Sequence, residues 1–124
     1  MSNKKERVVV FGASAQPERY SNKAIRMLLE YGHEVIPVHP TLPEVEGLPV
    51  IHDLSEIKIA VDTLTLYVNP DISSRAADAI IKLHPKRVIF NPDAENPALA
   101  LRLEQSGIHH EQACTLVLLR TGQF

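Results

Sequence analysis

The chain reads as a single doubly wound α/β domain spanning residues 1–124, with a parallel sheet and helices on both faces. Three observations predict this. Strand and helix signals alternate along the whole chain. The first strand, Arg7-Val8-Val9-Val10-Phe11, is a short β-branched run ending at Gly12, as expected of a strand buried on both faces. Two later apolar runs each end in Asn-Pro and lead into helical patterns.

After the first strand a polar loop, Ala13 to Tyr20, leads to Ser21, a residue suited to cap a helix. Ala24, Ile25, Leu28 and Leu29 form one apolar stripe, and Gly32 supplies the stop. His33 to Val38 is the second strand, closed by Pro40. From Pro40 to Leu54 the chain is rich in Pro and Gly, with a short third strand at Val50-Ile51 and one helical turn over Leu54 to Ile57. Val61 to Val68 is the fourth strand, entered at Asp62 and left at Asn69-Pro70. Asp71 is the expected cap of the next helix, whose stripe is Ile72, Ala76, Ala79, Ile80 and Leu83.

Arg87-Val88-Ile89-Phe90 is the fifth strand and ends in Asn91-Pro92. Asn96 as cap and Pro97 at the first helical position start a helix that ends near Gly107. Ile108 to Glu111 is the sixth strand, and Thr115 to Arg120 a short last helix. Right-handed crossovers join the parallel strands, and the order 3-2-1-4-5-6, with the third strand very short, fits the count of units best. In such sheets ligands lie beyond the carboxyl ends of the strands, where the order reverses. That sets the Gly12 to Ser21 loop and the Tyr67 to Asp71 loop on opposite lips of one crevice.

Composition narrows the functional classes. A chain of 124 residues, 44% hydrophobic and 23% charged, can bury a core without staples. A formal charge of −2 gives no electrostatic case for nucleic acid or an anionic membrane, so an anionic ligand must be held by local geometry. The single cysteine, Cys114, excludes an internal disulfide and points to a reducing, cytoplasmic setting. The basic Met1 to Arg7 stretch with Val8 to Phe11 and Ala13-Ser14-Ala15 mimics a signal peptide, but Gly12 breaks an already short apolar run. No apolar run approaches the roughly 18 residues of a membrane span.

The loop Gly12-Ala13-Ser14 is the most informative segment. Gly12 permits close backbone approach, and a helix N-terminus offers free N–H groups and a positive dipole end to a phosphate. Arg19 and Lys23 flank that end, and Ser14 and Ser21 add hydroxyls. A tight turn and an ordinary cap would explain the same residues without any ligand. A dinucleotide fingerprint needs three glycines and an acid about 20 residues on, and neither is present: the second strand ends in Val38-His39-Pro40. His109 and His110 are adjacent in a strand and point to opposite faces, so one metal could not readily take both. Cys114 lacks an identifiable base and reads as a small buried hydrophobe. Asp71, Asp93 and Glu95 occupy turn or cap positions, and no nucleophile–base–orienter set emerges.

With these residues in place the chain resembles a family of small CoA-binding, Rossmann-like proteins related to the N-terminal domain of the succinyl-CoA synthetase α subunit. The resemblance runs from about Arg7 to Phe124. It is carried by Val10-Phe11-Gly12-Ala13-Ser14, by Pro17-Glu18-Arg19-Tyr20-Ser21 leading into Lys23-Ala24, and by Gly32-His33-Glu34-Val35-Ile36-Pro37-Val38. Glu46-Gly47-Leu48-Pro49-Val50, Asn91-Pro92, Glu95-Asn96-Pro97 and the ending Ala113 to Phe124 follow in the same order. The resemblance implies coenzyme A, free or acylated, held across the crevice. Gly12, Ala13 and Ser14 would meet its pyrophosphate or pantetheine region, and Arg19, Ser21 and Lys23 its phosphates. Val38, His39 and Pro40 would line the adenosine side, and Tyr67, Val68 and Asn69 the opposite lip. The chain departs from the pattern at Asp93, where relatives usually carry Gly, and at His39, where Asn or Gly is common. The first departure sets a carboxylate against a polyanionic ligand.

The synthetases use a phosphorylated histidine on a separate domain and a nucleotide-grasping subunit, neither of which this chain has room for. The expectation is therefore a carrier, sensor or regulatory module with no catalytic residues of its own. Two other classes compete. One is an enzyme, either an NAD(P)-dependent oxidoreductase or a transferase using Cys114. The other is a ligandless scaffold working through protein contacts, for instance as a homodimer, for which Asp93 is the best argument.

Overall fold

A computed structural model describes residues 4–124; Met1, Ser2 and Asn3, which open the basic N-terminal stretch, lie outside the described residues. The main sheet contains five parallel strands: β1 (Arg7–Phe11), β2 (Glu34–Val38), β5 (Thr63–Leu66), β6 (Arg87–Phe90) and β7 (His109–Gln112). Their order is β2-β1-β5-β6-β7, the doubly wound arrangement expected. The short third strand is reduced to one parallel bridge, Val38 to Ile51, outside β2. Pro37 fits β2 because its carbonyl faces outward, accepting from Ile51 N–H at 2.9 Å. Its missing N–H therefore costs no bond to β1. Between β2 and this bridge the chain inserts a hairpin, β3 (Glu44–Val45) with β4 (Leu48–Pro49), which the sequence pattern does not announce.

The crossovers put helices on both faces. α1 (Tyr20–Glu30) and α5 (Thr115–Arg120) cover one face, where Val8, Val10, Ile25, Leu28 and Leu119 pack together. A 3₁₀ turn (Leu54–Glu56), α2 (Pro70–Arg75), α3 (Ala77–Leu83) and α4 (Pro97–Gln105) cover the other. Its core is Val9, Leu64, Leu66, Ile80, Val88, Phe90, Leu99 and Leu103. Alternate residues of β1 thus feed opposite cores, as the pleat requires.

Four local expectations need correction. The residue before α1 is Arg19, with no side-chain cap, and Ser21 lies within the helix. Asn69, not Asp71, caps α2: its Oδ1 accepts from Ile72 N–H at 3.0 Å, because Pro70 takes the first helical position and brings Asp71 into the first turn. The stripe from Ile72 to Leu83 is two short helices meeting at Ala76, with neither Gly nor Pro to signal the break. Leu29 and Ile72 are partly exposed rather than core. Asn96 caps α4 as expected, accepting from Leu99 N–H at 3.1 Å. Its amide also donates to the Pro70 carbonyl and the hydroxyls of Ser73 and Ser74, tying α2 to α4.

The amino ends of the strands carry a charge network. Arg87 pairs with Glu6 and Glu111 and lies over the Phe124 ring at 4.5 Å. Arg7 N–H donates to Asp62 at 2.7 Å and holds that carboxyl below its ordinary range. His33 Nδ1 accepts from Glu6 N–H at 3.0 Å. Burial pushes the His33 imidazole below its usual value, with Glu6 opposing the shift. At this end of the sheet the charged side chains are paired with one another.

Candidate functional site

Beyond the carboxyl ends of the strands lies an open cleft of about 1000 Å³. Its centre is Gly12, where the sheet order reverses between β1 and β5. Gly12 has φ +100°, and a Cβ there would sit 2.9 Å from the Tyr67 carbonyl carbon and oxygen and from Val68 Cγ1. The two lips touch at this point, which only glycine allows. The N–H groups of Gly12 and Ala13 both donate to the Val38 carbonyl at 3.1 Å, so neither is available to a ligand.

The next loop is pinned from behind. Ser14 Oγ accepts from Gln16 N–H at 3.1 Å, and Gln16 carbonyl accepts from Arg19 N–H at 3.0 Å. The fully buried Asn22 donates to the Ser14 carbonyl and to Glu46. Arg26 donates to Asn22 Oδ1 and to the Pro17 carbonyl, both at 2.8 Å. Sequence reasoning missed Asn22 and Arg26; their spacing of four on a helix was the available signal. The loop therefore delivers the α1 N-terminus to the cleft wall with no side chain capping its first N–H groups. Arg19 stands beside it, its Nε donating to Gln16 Oε1 at 3.3 Å.

Of the residues singled out from the sequence, Gly12, Ala13, Ser14, Arg19, Ser21, Val38, His39, Pro40, Tyr67, Val68 and Asn69 line this one cleft. Lys23 does not; its ammonium lies over the Tyr20 ring at 5.2 Å. The cleft wall also includes Gln16, Glu18, Tyr20, Leu42 and Ile72, which had not been assigned to it, and Asp93, which the departure from the family pattern had set near it. His39 Nδ1 accepts from both Thr41 and Leu42 N–H at 3.1 Å, so a neutral ring carries its proton on Nε2. Asp93 has φ +75°, a conformation that glycine adopts freely and Asp tolerates better than most residues.

Beneath the β5 and β6 exits is a buried polar network. Asn91 Nδ2 donates to Thr65 Oγ1 at 2.6 Å and to the Leu66 carbonyl at 2.8 Å. Asn91 Oδ1 accepts from Thr115 N–H and Oγ1–H, both at 2.9 Å. That leaves the Thr65 hydroxyl to donate to Thr115 Oγ1 at 2.7 Å. Burial pushes the Tyr67 phenol above its usual value, partly offset by the Thr115 and Thr65 hydroxyls, so the phenol stays neutral. Cys114 is half-buried just before α5, less enclosed than the sequence suggested, and does not line the cleft.

Elsewhere, a second cavity of about 350 Å³ lies among Leu54, Ile57, Ala79 and Leu83, rimmed by Lys58 and Lys82. His110 bonds to Glu104 at 2.9 Å. His109 is exposed and His110 half-buried, as opposite faces of a strand require. No cluster of three or more metal-ligating side chains forms among the described residues. No helix among them is long and apolar enough to cross a membrane.

A five-stranded doubly wound sheet with a helix N-terminus at its switch point defines a Rossmann-like protein of the nucleotide-cleft type. A family model described as a CoA binding domain matches residues 6–120, and the chain belongs to that family. An uncharacterized protein of known crystal structure is 39% identical over 98% of this chain and 99% of its own, with a TM-score of 0.92. Acetyl-coenzyme A synthetase 1 from Ca. Korarchaeum cryptofilum, a dinucleotide-forming enzyme solved with phosphate and ADP, is 25% identical with a TM-score of 0.75. That match covers 85% of this chain and 25% of the synthetase. The uncharacterized protein YneT of Bacillus subtilis is 32% identical over 62 residues, 50% of this chain and 46% of that protein. The aligned segment is thus less than half the length of that curated relative.

Proposed function

We propose that the cleft binds coenzyme A or an acyl-CoA and that the domain acts as a carrier, sensor or regulatory module. The observation that carries this reading is the uncapped N-terminus of α1, presented to the cleft beside Arg19. Unpaired N–H groups, a positive dipole end and a guanidinium together form an anion site for the pyrophosphate. The Gly12 and Ala13 amides are spent on Val38, so the pyrophosphate is met by α1 and Arg19, with Ser14 and Ser21 beside them. Val38, His39 and Pro40 border the adenosine, with the His39 Nε2 proton as a donor. Tyr67, Val68 and Asn69 face the pantetheine arm. The oxidoreductase alternative lacks support where β2 ends, since His39 occupies the position a ribose-binding acid would need.

The test is a thermal-shift titration with coenzyme A, using NAD, NADP and ATP as controls. At 100 times its dissociation constant a ligand adds about 2.7 kcal/mol, a rise of about 10 °C for a chain this size. Arg19→Ala should lose most of that rise. A larger rise with NAD or NADP would replace the reading by the oxidoreductase one, and no rise with any nucleotide would leave the scaffold.

A further inference from the structure

We infer that the cleft discriminates among coenzyme A thioesters by the charge of the acyl group, admitting uncharged chains and disfavouring those that end in a carboxylate, with Asp93 as the discriminating residue. This rests on the coenzyme A reading above and concerns the far end of the same cleft.

The strand order sets the direction of the ligand. The anion site stands at the exit of β1, and the adenosine border at the exit of β2, on one side of it. On the other side the exits follow in the order β5, then β6. Tyr67, Val68 and Asn69 come from the first of these, and Pro92, Asp93 and Ala94 from the second. Neighbouring strands are about 4.8 Å apart, so Asp93 is two strands, about 10 Å, from the β1 exit. A ligand with its adenosine over β2 and its pyrophosphate at α1 must send its pantetheine arm across β5 toward β6. Its acyl group then arrives on the side of the cleft that Asp93 lines.

At that end the acyl group meets a fixed negative charge. Asp93 is exposed, and no salt bridge with Asp93 forms among the described residues. Besides Asp93, the cleft residues that follow β5 and β6 are the uncharged Tyr67, Val68, Asn69, Ile72, Pro92 and Ala94, while the only Lys or Arg among the described cleft-lining residues, Arg19, stands at the α1 end. An uncharged acyl chain meets Val68, Ile72, Pro92 and Ala94 there without opposing a like charge. A terminal carboxylate would face Asp93 with no cation between them. Two like charges about 5 Å apart in this open, water-filled cleft weaken binding about fourfold at low salt, and less as salt screens them.

Butyryl-CoA and succinyl-CoA make a matched pair, with four acyl carbons each and a methyl or a carboxylate at the end. Isothermal titration of the full chain at low salt should find butyryl-CoA about fourfold tighter than succinyl-CoA, narrowing at high salt. Asp93→Asn removes the charge and tolerates positive φ, so the two thioesters should then agree within about twofold. Asp93→Gly should do the same, which guards against a folding defect in either variant. Equal affinities in the unmodified protein, or an unchanged ratio in both variants, would overturn the inference while leaving coenzyme A binding intact. Absence of binding by free coenzyme A and by both thioesters would overturn the functional reading itself, and this inference with it.

Discussion

Replacing Gly12 by Ala tests the geometry on which the cleft depends. The added Cβ would lie 2.9 Å from Tyr67 C, Tyr67 O and Val68 Cγ1. Two of those atoms are backbone, anchored by Tyr67 N–H donating to the Phe11 carbonyl at 2.8 Å, so the contact cannot be relieved by a rotamer change. Overpacking of this kind costs about 1–3 kcal/mol. Holding Ala at φ +100° adds about 1–2 kcal/mol. The combined loss is about 2–5 kcal/mol, against a total stability of about 5–15 kcal/mol. With an unfolding entropy of about 0.26 kcal/mol per degree for this length, the melting temperature should fall about 8–19 °C. Gly47→Ala is the control. Its φ is +77°, but nothing lies within 4 Å of its Cβ position, so only the conformational strain remains. That variant should lose about 4–8 °C. Urea unfolding and scanning calorimetry on both variants decide the matter. If Gly12→Ala melts within a degree or two of Gly47→Ala, the lips do not touch at Gly12 and the derivation of the cleft is wrong.

Asn91→Ala should cost about 3 kcal/mol, since it strands the Leu66 carbonyl and breaks the bonds to Thr65 and Thr115 at once. A urea midpoint near that of the unmodified protein would count against the network. His33 gives a pH signature. Burial lowers its folded pKa below the ordinary 6.5, so its contribution to stability is complete above that pH and is lost as pH falls toward the folded value. Unfolding free energy measured from pH 7.5 to 5 should decline, and His33→Asn should flatten the decline; an unchanged slope would remove His33 as its source.

Much of the fold was legible because it rests on short-range patterns. The Val8-Val9-Val10 run, Asn96-Pro97 and the two Asn-Pro exits mark strand ends and helix starts through local sterics and capping. The strand order followed from the count of alternating strand and helix units. Some of what stayed hidden is local but atypical. The β3–β4 hairpin hangs on a Glu46-Gly47 turn with both residues at positive φ, and Glu46 is an unusual residue there. Asn69 displaced Asp71 as cap because Pro70 claimed the first helical position. At the site, residue type and loop position were enough to bring Gly12, Arg19, His39 and Tyr67 to one cleft. They could not show that the Val38 carbonyl occupies the Gly12 and Ala13 amides, or that Tyr20 draws Lys23 aside.

On the proposed coenzyme A reading, the identity of residue 19 ties stability to binding. A Ser, Thr, Asp or Asn before α1 would accept from the same first-turn N–H groups that a phosphate needs. Arg19 leaves them open and adds a positive charge beside them. The α1 N-terminus is thus less satisfied than it could be, which is expected of a helix end kept for a ligand. Arg19→Asp should therefore move the two properties in opposite directions. The new carboxylate caps the helix and meets its dipole, raising the unliganded melting temperature by about 4 °C, equivalent to about 1 kcal/mol. The same carboxylate fills the anion site and repels the pyrophosphate, so the coenzyme A shift should vanish. Arg19→Ala shares the second effect but not the first, which separates capping from charge removal. A melting temperature unchanged in Arg19→Asp would mean that the helix end is already satisfied. A retained coenzyme A shift would mean that the anion is held elsewhere.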